Sequence, residues 1–307
     1  VVDPRKIKHF VTLARIGNFN EAAEVLHISQ PALTRSIQNL EESLDVILID
    51  RSQRAIKLTA AGNHLLSYSQ KALMELRNIR AEAARIKGLD AGSLKIGTGP
   101  LPADHIGANT CAQFLSLHPN IKVTLVVDEP MKLMEQLVQG NLDVIIVDMR
   151  AVTHSPDILF EPLPKLPGAT IARTGHPLAG KPALDTAHIL QFPLATISPI
   201  ATQVIGTAMG LNAQQAQDAF SFNCNNTQLM ATCLKQSNAI GFLLKANIAA
   251  DVKRGELTVL DYELVNGRFY NEYGICTYKP RLNSLATDAF IDITKELAKQ
   301  IVAEQYD

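Results

Sequence analysis

The sequence of 307 residues is longer than one hydrophobic core comfortably serves, which predicts two or three domains. At 47% hydrophobic and 19% charged residues it is globular rather than disordered, and no uncharged run approaches the ~18 residues that a membrane-crossing helix needs. The formal charge of −1 hides an asymmetry: residues 1–87 carry 13 Lys and Arg against 9 Asp and Glu, and the remainder carries 16 against 21. A mildly basic module therefore precedes an acidic body, and tight binding of nucleic acid would need specific contacts and dimerisation.

The first eight residues, Val1 to Lys8, mix charges and lack an apolar signal core, so the expected location is cytoplasmic, with no membrane partner. Asp3-Pro4 supplies a helix cap and first position, and Ile7, Phe10, Val11, Leu13 and Ala14 give that helix an apolar face up to Gly17. A second helix runs from Asn20 to Leu26 with Ala22, Ala23 and Leu26 on one side. A third opens at Pro31, whose missing N–H would be unpaired in a first turn anyway. In it Ala32, Leu33, Ile37 and Leu40 form a buried stripe, while Gln30, Thr34, Arg35 and Gln38 point away. A guanidinium, two amides and a hydroxyl on one exposed face are the chemistry that reads base edges and phosphates. Two helices joined by a tight turn, the second with that face, read as a helix-turn-helix. An ordinary surface helix pair is the competing reading.

Val46–Ile49 and Ala55–Leu58 predict two short strands around a polar turn carrying Arg51 and Arg54, which together read as a wing. Those arginines either remain solvated or lie on the phosphate backbone or in a minor groove. Thr59 then caps a helix over 60–87. Its positions 62, 65, 69, 72, 76, 79, 83 and 86 follow heptad spacing, and Leu65, Leu76, Ile79 and Ile86 ask for a partner helix. Gly88 and Asp90-Ala-Gly92 end it. At least a dimer is expected, presenting two reading heads to a pseudo-palindromic site.

From Ser93 onward strands and helices alternate: strand 94–96, helix 103–117, strand 123–127, helix 131–138 and the buried parallel-type run Leu142–Val147. This order predicts an open α/β sheet. A second unit follows with strand 168–173, helix 201–210, strand 219–223, helix 226–237, strand 239–243 and helix 246–254. Strand 269–278 and a long helix, 283–305, return to the first unit.

The first 62 residues resemble the LysR-type transcriptional regulators. The resemblance rests on Phe10 and Phe19, Ala22-Ala-Glu24, Leu26-His-Ile-Ser-Gln-Pro-Ala-Leu-Thr-Arg35, Ile37, Leu40-Glu41, Leu44, Arg51 and Leu58-Thr59 with Gly62. Two departures stand at the approach to the wing: Asp45 in place of glycine, which reshapes a turn, and Ile49 in place of phenylalanine, which alters packing. The resemblance implies a multidomain α+β chain. A winged helix-turn-helix (1–58) and a linker and dimerisation helix with its hinge (59–92) precede a two-lobed α/β effector domain of periplasmic-binding-protein type (93–307). Lobe I spans about 93–163 and 268–307, and lobe II about 164–267. It further implies promoter DNA contacts from Ser29, Gln30, Pro31, Thr34, Arg35 and Gln38, with Arg51 or Arg54 from the wing. A homotetramer, a small-molecule co-inducer in place of a cofactor, and RNA polymerase as a further partner belong to the same expectation.

In open α/β sheets ligands sit beyond the carboxyl ends of strands. That places a cleft at Thr98-Gly99-Pro100-Leu101, Asp148 to Arg150, Ser198-Pro199-Ile200 with Thr202, and Asn226-Thr227. The first, third and fourth segments lead into helices, whose free N–H groups favour an anion. A carboxylate-bearing effector is expected, with Thr98, Ser198 and Thr202 as hydroxyl donors and Arg150 as counter-charge. Alternatively the hydroxyls only cap their own helices. The four cysteines, Cys111, Cys224, Cys233 and Cys276, lack metal-ligand spacing and are expected as thiols. Cys224 and Cys233 repeat the nine-residue spacing of the peroxide-sensing branch of the family. They lie elsewhere in the sequence, which favours burial over redox chemistry. No histidine pair, phosphate loop or serine elbow supports an enzyme.

Overall fold

The computed structural model describes residues 2–50, 56–87, 92–152, 155–266 and 270–306. They fall into two compact units, Val1–Ile86 with Pro280–Leu282, and Lys87–Lys279 with Asn283–Asp307.

The first unit opens with α1 (Pro4–Ile16), α2 (Phe19–Leu26) and α3 (Gln30–Leu44). Each start is set by a side-chain cap. Asp3 accepts the Arg5 amide at 2.8 Å, Asn18 accepts Asn20 N at 2.8 Å, and Ser29 accepts Ala32 N at 3.4 Å. Each end is set by a left-handed residue: Gly17 at φ +72°, His27 at +56° and Asp45 at +54°. Asp45 thus adopts the conformation that glycine favours, so the turn keeps its shape at a strain cost that glycine would avoid. Pro31 is the second helical residue, because the helix begins at Gln30. Phe10, Leu13, Ala22, Ala23, Leu33, Ile37 and Leu40 form the core, and burying each large side chain contributes ~1.5–3 kcal/mol. Ala32 is exposed and does not belong to the stripe expected of it. Its place one residue before Leu33 puts it on the flank of the helix, beyond the reach of α1 and α2.

The wing strands are shorter than expected. β1 (Ile49–Asp50) and β2 (Lys57–Leu58) pair antiparallel over two residues each. Val46, Ile47 and Leu48 instead run as an unladdered connection. Arg51 and Arg54 lie outside the described residues. Helix α4 (Ala60–Lys87) is capped by the Thr59 hydroxyl, which accepts the Gly62 amide at 2.9 Å. Its first turns pack on the three-helix core through Leu65 and Leu66. Farther along, Leu76 and Ile79 are 37% and 65% exposed, leaving these two apolar heptad positions uncovered within one chain.

The second unit holds two five-stranded sheets. The first unites β3 (Gly92–Thr98), β4 (Ile121–Val127), β5 (Val144–Asp148), β6 (Ile158–Pro162) and, from far along the chain, β12 (Tyr273–Tyr278), in the order β4-β3-β5-β12-β6. β3 pairs parallel with β4 and β5, and β12 pairs antiparallel with β5 and β6. Between these strands lie α5 (Pro100–Pro102), a π-helical turn at Ala103–Gly107, α6 (Ala108–Leu117) and α7 (Pro130–Val138). The second sheet has β7 (Gly168–Arg173), β8 (Leu194–Thr196), β9 (Phe220–Asn223), β10 (Ile240–Leu244) and β11 (Leu257–Val259), in the order β11-β7-β10-β8-β9. Around it lie α8 (Thr186–Ile189), α9 (Pro199–Ala208), α10 (Ala213–Ala219), α11 (Thr227–Gln236) and α12 (Lys245–Lys253). The closing helix α13 (Leu285–Tyr306) packs on α6 and β3 of the first lobe.

The two crossing segments between lobes are tied together. Pro167 bridges Tyr270, Leu163 N donates to Tyr273 O at 2.9 Å, and Leu166 N donates to the Asn271 side chain. Strands β6, β8 and β11 and helices α8 and α10 were not expected from the sequence; they are short and carry weak periodicity. No helix among the described residues is long and apolar enough to cross a membrane, and no group of potential metal ligands gathers among them.

Candidate nucleic-acid interface and effector cleft

The exposed side of α3 is built by the helix period. Leu33, Ile37 and Leu40 face the core, which turns Gln30, Pro31, Arg35 and Gln38 into solvent and leaves Thr34 half-buried. Ser29, itself exposed, spends its hydroxyl on the helix cap. Gln30 Nε2 donates to Thr34 Oγ1 at 3.0 Å, one turn on, so this amide and hydroxyl are arranged as a pair. Arg35 and Gln38 have no hydrogen-bond partner among the described residues. On the neighbouring edge of α3, Ser36 Oγ bonds His9 Nδ1 of α1 at 2.7 Å. Burial, with Lys8 second, lowers the His9 pKa, which keeps that ring a neutral partner at physiological pH.

In the second unit the expected cleft residues fall at strand ends and helix starts, but most of their polar atoms are already used. Thr98 ends β3 fully buried, and its hydroxyl donates to the Gly99 carbonyl at 3.2 Å. Gly99 precedes α5, and Pro100 and Leu101 form its first turn. Leu101 packs against the cores of both lobes. Asp148 ends β5 and holds the Arg150 guanidinium at 2.9 and 2.5 Å. That bond is the largest cause raising the Arg150 pKa, and it leaves the counter-charge largely neutralised. Ser198 caps α9 by accepting Ala201 N at 3.1 Å, with Pro199 and Ile200 in the first turn. Thr202 Oγ1 lies 2.7 Å from Thr196 Oγ1 and donates to Ser198 O at 3.2 Å. Asn226 caps α11 by accepting Leu229 N at 2.9 Å. The Thr227 hydroxyl donates to the Asp104 carboxylate of the other lobe.

Ser198 and Thr202 are thus brought together with Thr196. No hydrogen bond among the described residues joins that group to Thr98 or to the Asp148–Arg150 pair. The capping alternative accounts for Ser198 and Asn226 as they stand.

Sequence reasoning missed the groups that do meet across the lobes. Asn247 of α12 donates through Nδ2 to the Leu101 carbonyl at 3.3 Å and lies 3.2 Å from His105 Nδ1. His105 sits in the π-helical turn, with its ring centroid 6.0 Å from that of Tyr273 on β12. Burial drives the His105 pKa down to about 4, so the ring is neutral at pH 7. If Nδ1 accepts from Asn247, the proton resides on Nε2. His105 Nε2, Asn247 Oδ1 and the Tyr273 hydroxyl are buried without a partner among the described residues. Such atoms are uncommon in folded proteins and call for water or ligand. Asp104 adds a carboxylate whose pKa burial raises. The signal in the sequence is slight: His105 stands beside Ile106 in a turn whose other residues are mostly apolar, where a histidine needs a reason.

A shallow cavity of about 430 Å³, lined by Arg173, Lys235, Gln236, Ser237 and Asn238, lies at the opposite end of β10 from the expected cleft. Its cations are engaged. Lys235 bonds Asp251 and Glu256 at 3.0 and 3.2 Å, and Arg173 bonds Asn238 at 2.8 Å. All four cysteines are free; Cys224 and Cys233 are half-buried, and Cys276 is pushed to a pKa of about 12 by burial.

One family model, described as bacterial regulatory helix-turn-helix protein, lysR family, matches residues 4–63, and another, described as LysR substrate binding domain, matches residues 87–299. An SDS degradation transcriptional activation protein from Pseudomonas sp. is 32% identical over 294 residues, covering 94% of each chain. Among solved structures, a full-length OxyR variant from Pseudomonas aeruginosa superposes with a TM-score of 0.67 at 20% identity, covering 97% of this chain and 95% of that one. Full-length CbnR in complex with its target DNA gives 0.58 at 18% identity, covering 96% and 100%. At these identities the two structures speak for the fold.

Proposed function

Because this chain belongs to the LysR family of DNA-binding transcriptional regulators, we propose that it reads promoter DNA through α3 and answers to a carboxylate-bearing effector held between its two lobes. The family is one of regulators rather than enzymes. The observation that carries the DNA half is the uncommitted Arg35 and Gln38 on a rigid, capped helix. An arginine pairs with guanine and a glutamine with adenine at ~1–3 kcal/mol of discrimination each. Ser29, Gln30, Pro31 and Thr34 complete the face, and Arg51 or Arg54, which lie outside the described residues, are proposed as further contacts. In this reading residues 1–58 bind DNA, 59–92 pair subunits through the exposed Leu76 and Ile79 stripe, and 93–307 hold the effector. Two such pairs make the working tetramer in the cytoplasm, where RNA polymerase is the downstream partner.

For the effector half, support comes from the starts of α9 and α11, which offer free N–H groups, and from the unmatched polar atoms of His105, Asn247 and Tyr273. Thr98, Gly99, Pro100, Leu101, Asp148, Arg150, Ser198, Pro199, Ile200, Thr202, Asn226 and Thr227 remain the proposed lining. Their hydroxyls would exchange an internal bond for one to the ligand. The most informative relative is named for SDS degradation, so an alkyl sulfate belongs in the ligand screen beside carboxylates. The test has two arms. Gel shifts on the protein's own upstream region should show a specific complex that an unrelated duplex does not displace. Thermal shift against benzoate, decanoate and, below its micelle concentration, octyl sulfate should raise the melting point for at least one anion. A response only to neutral or cationic compounds would refute the anionic effector.

A further inference from the structure

The amides of Leu48 and Ile49 both donate to one oxygen, Oε1 of Glu41, at 2.8 and 3.0 Å. Glu41 stands on the last turn of α3, three residues beyond Gln38, and Ile49 begins β1. The carbonyl of the same Leu48 accepts the Thr59 amide at 3.0 Å, and the Thr59 hydroxyl donates to Ile47 O at 2.7 Å. Helix α4 approaches this peptide so closely that a Cβ on Gly62 would fall 2.2 Å from the Leu48 oxygen. The Leu48 side chain is fully buried in the three-helix core. A single peptide unit therefore has the recognition helix on its N–H and the linker helix on its C=O.

The β ladder accounts for the Leu48 carbonyl, since its bond from the Thr59 amide continues the Ile49↔Leu58 register, but not for the Leu48 and Ile49 amides, which face Glu41. Without Glu41, the two amides would lose a charged acceptor, the stronger kind of hydrogen bond. A carboxylate close to a DNA-reading face also repels phosphate.

We infer that Glu41 is a positioning residue for DNA reading: it ties the first wing strand to the recognition helix, and the Leu48 peptide passes that constraint to the linker helix. The inference rests on the reading that α3 enters the groove. It also makes α4 part of the reading head, since a change in its direction pulls on the Leu48 carbonyl.

The charge of Glu41 separates positioning from electrostatics. If charge alone mattered, Glu41→Gln would tighten binding to every duplex. Positioning predicts that affinity for the upstream duplex falls about tenfold, while affinity for a scrambled duplex of equal length holds or rises. Gly62→Ala disturbs the same peptide from the other side without altering charge, and the ratio of specific to scrambled affinity should fall with it. Circular dichroism melts establish that each full-length variant is folded. Folded E41Q and G62A proteins with the parent's ratio overturn the inference. Should E41Q fail to fold, G62A decides; should both fail, Thr59→Val, which removes the bond to Ile47 O, decides in their place. Arg35→Ala is measured alongside. If R35A leaves the ratio intact, the groove reading itself is wrong. If R35A collapses the ratio while E41Q and G62A do not, only the positioning role is wrong.

Discussion

On the recognition helix, Arg35 and Gln38 stand in solvent with no hydrogen-bond partner among the described residues, whereas at the lobe ends Ser198, Thr202 and Asn226 already bond their own helices. Both regions present polar side chains at or near helix starts, and the sequence treats them alike. The difference lies in what surrounds them. A helix that buries one stripe leaves its opposite side free to greet a partner, so a solvated face is ready before any partner arrives. At the lobe ends the helix-start hydroxyls and amides are satisfied internally, so a ligand must replace those bonds to use them. Readiness on one side and self-satisfaction on the other are what a regulator with constant DNA chemistry and switchable effector chemistry would require.

Substitutions can break that comparison. The largest effect is expected from Arg35→Ala, which should weaken binding to the upstream duplex about 10- to 100-fold and leave the melting point of the free protein near the parent's. Parent-like affinity in a gel shift would remove the groove reading. The next effect is a pH dependence in the lobes. His105 is held neutral down to about pH 4, while an unfolded histidine protonates near 6.5. Its depressed pKa therefore contributes stability that is present above pH 6.5 and lost as the pH falls toward 4. Denaturant unfolding at pH 7 and pH 5 should show the parent losing about 2 kcal/mol from this group, and His105→Gln should lack that share of the loss. Equal slopes in the two proteins would place His105 in water.

Ser198→Ala sharpens the contrast at a smaller scale. Loss of the α9 cap should cost about 1 kcal/mol of stability, with operator affinity unchanged in the absence of effector, as chemical denaturation and gel shift would report. The smallest effect is a gain. Asp45 holds φ at +54°, so Asp45→Gly should stabilise the protein by about 0.5–1 kcal/mol. A loss on calorimetry would mean that the aspartate side chain makes a compensating contact.

The helix-turn-helix was legible because its information is local. Asp3, Asn18 and Ser29 cap within three residues, and Leu33, Ile37 and Leu40 repeat at the helix period. Ala32 was misplaced because it borders that stripe, where periodicity is indifferent and only the reach of neighbouring helices decides. The wing strands were overextended for a related reason. An apolar run such as Val46–Ile49 suits a strand, yet Leu48 turned its amide to Glu41 rather than to a ladder partner. The lobes' main strands and helices were also legible, but β8 and β11 carry three residues each, too few for a period to show.

By itself the sequence determined the three helices of the helix-turn-helix to within a residue or two, the polar face of α3, the alternating α/β order and the family, since these rest on patterns between near neighbours that survive any tertiary arrangement. Tertiary structure alone decided which polar atoms are spent and which are spare. Asn247 meets His105 across 142 positions and Thr227 meets Asp104 across 123, and no local pattern encodes a contact at such range. A hydrogen bond is fixed by distance and direction in space, so the partner of a buried side chain is settled only when the packing of the whole lobe brings the two together.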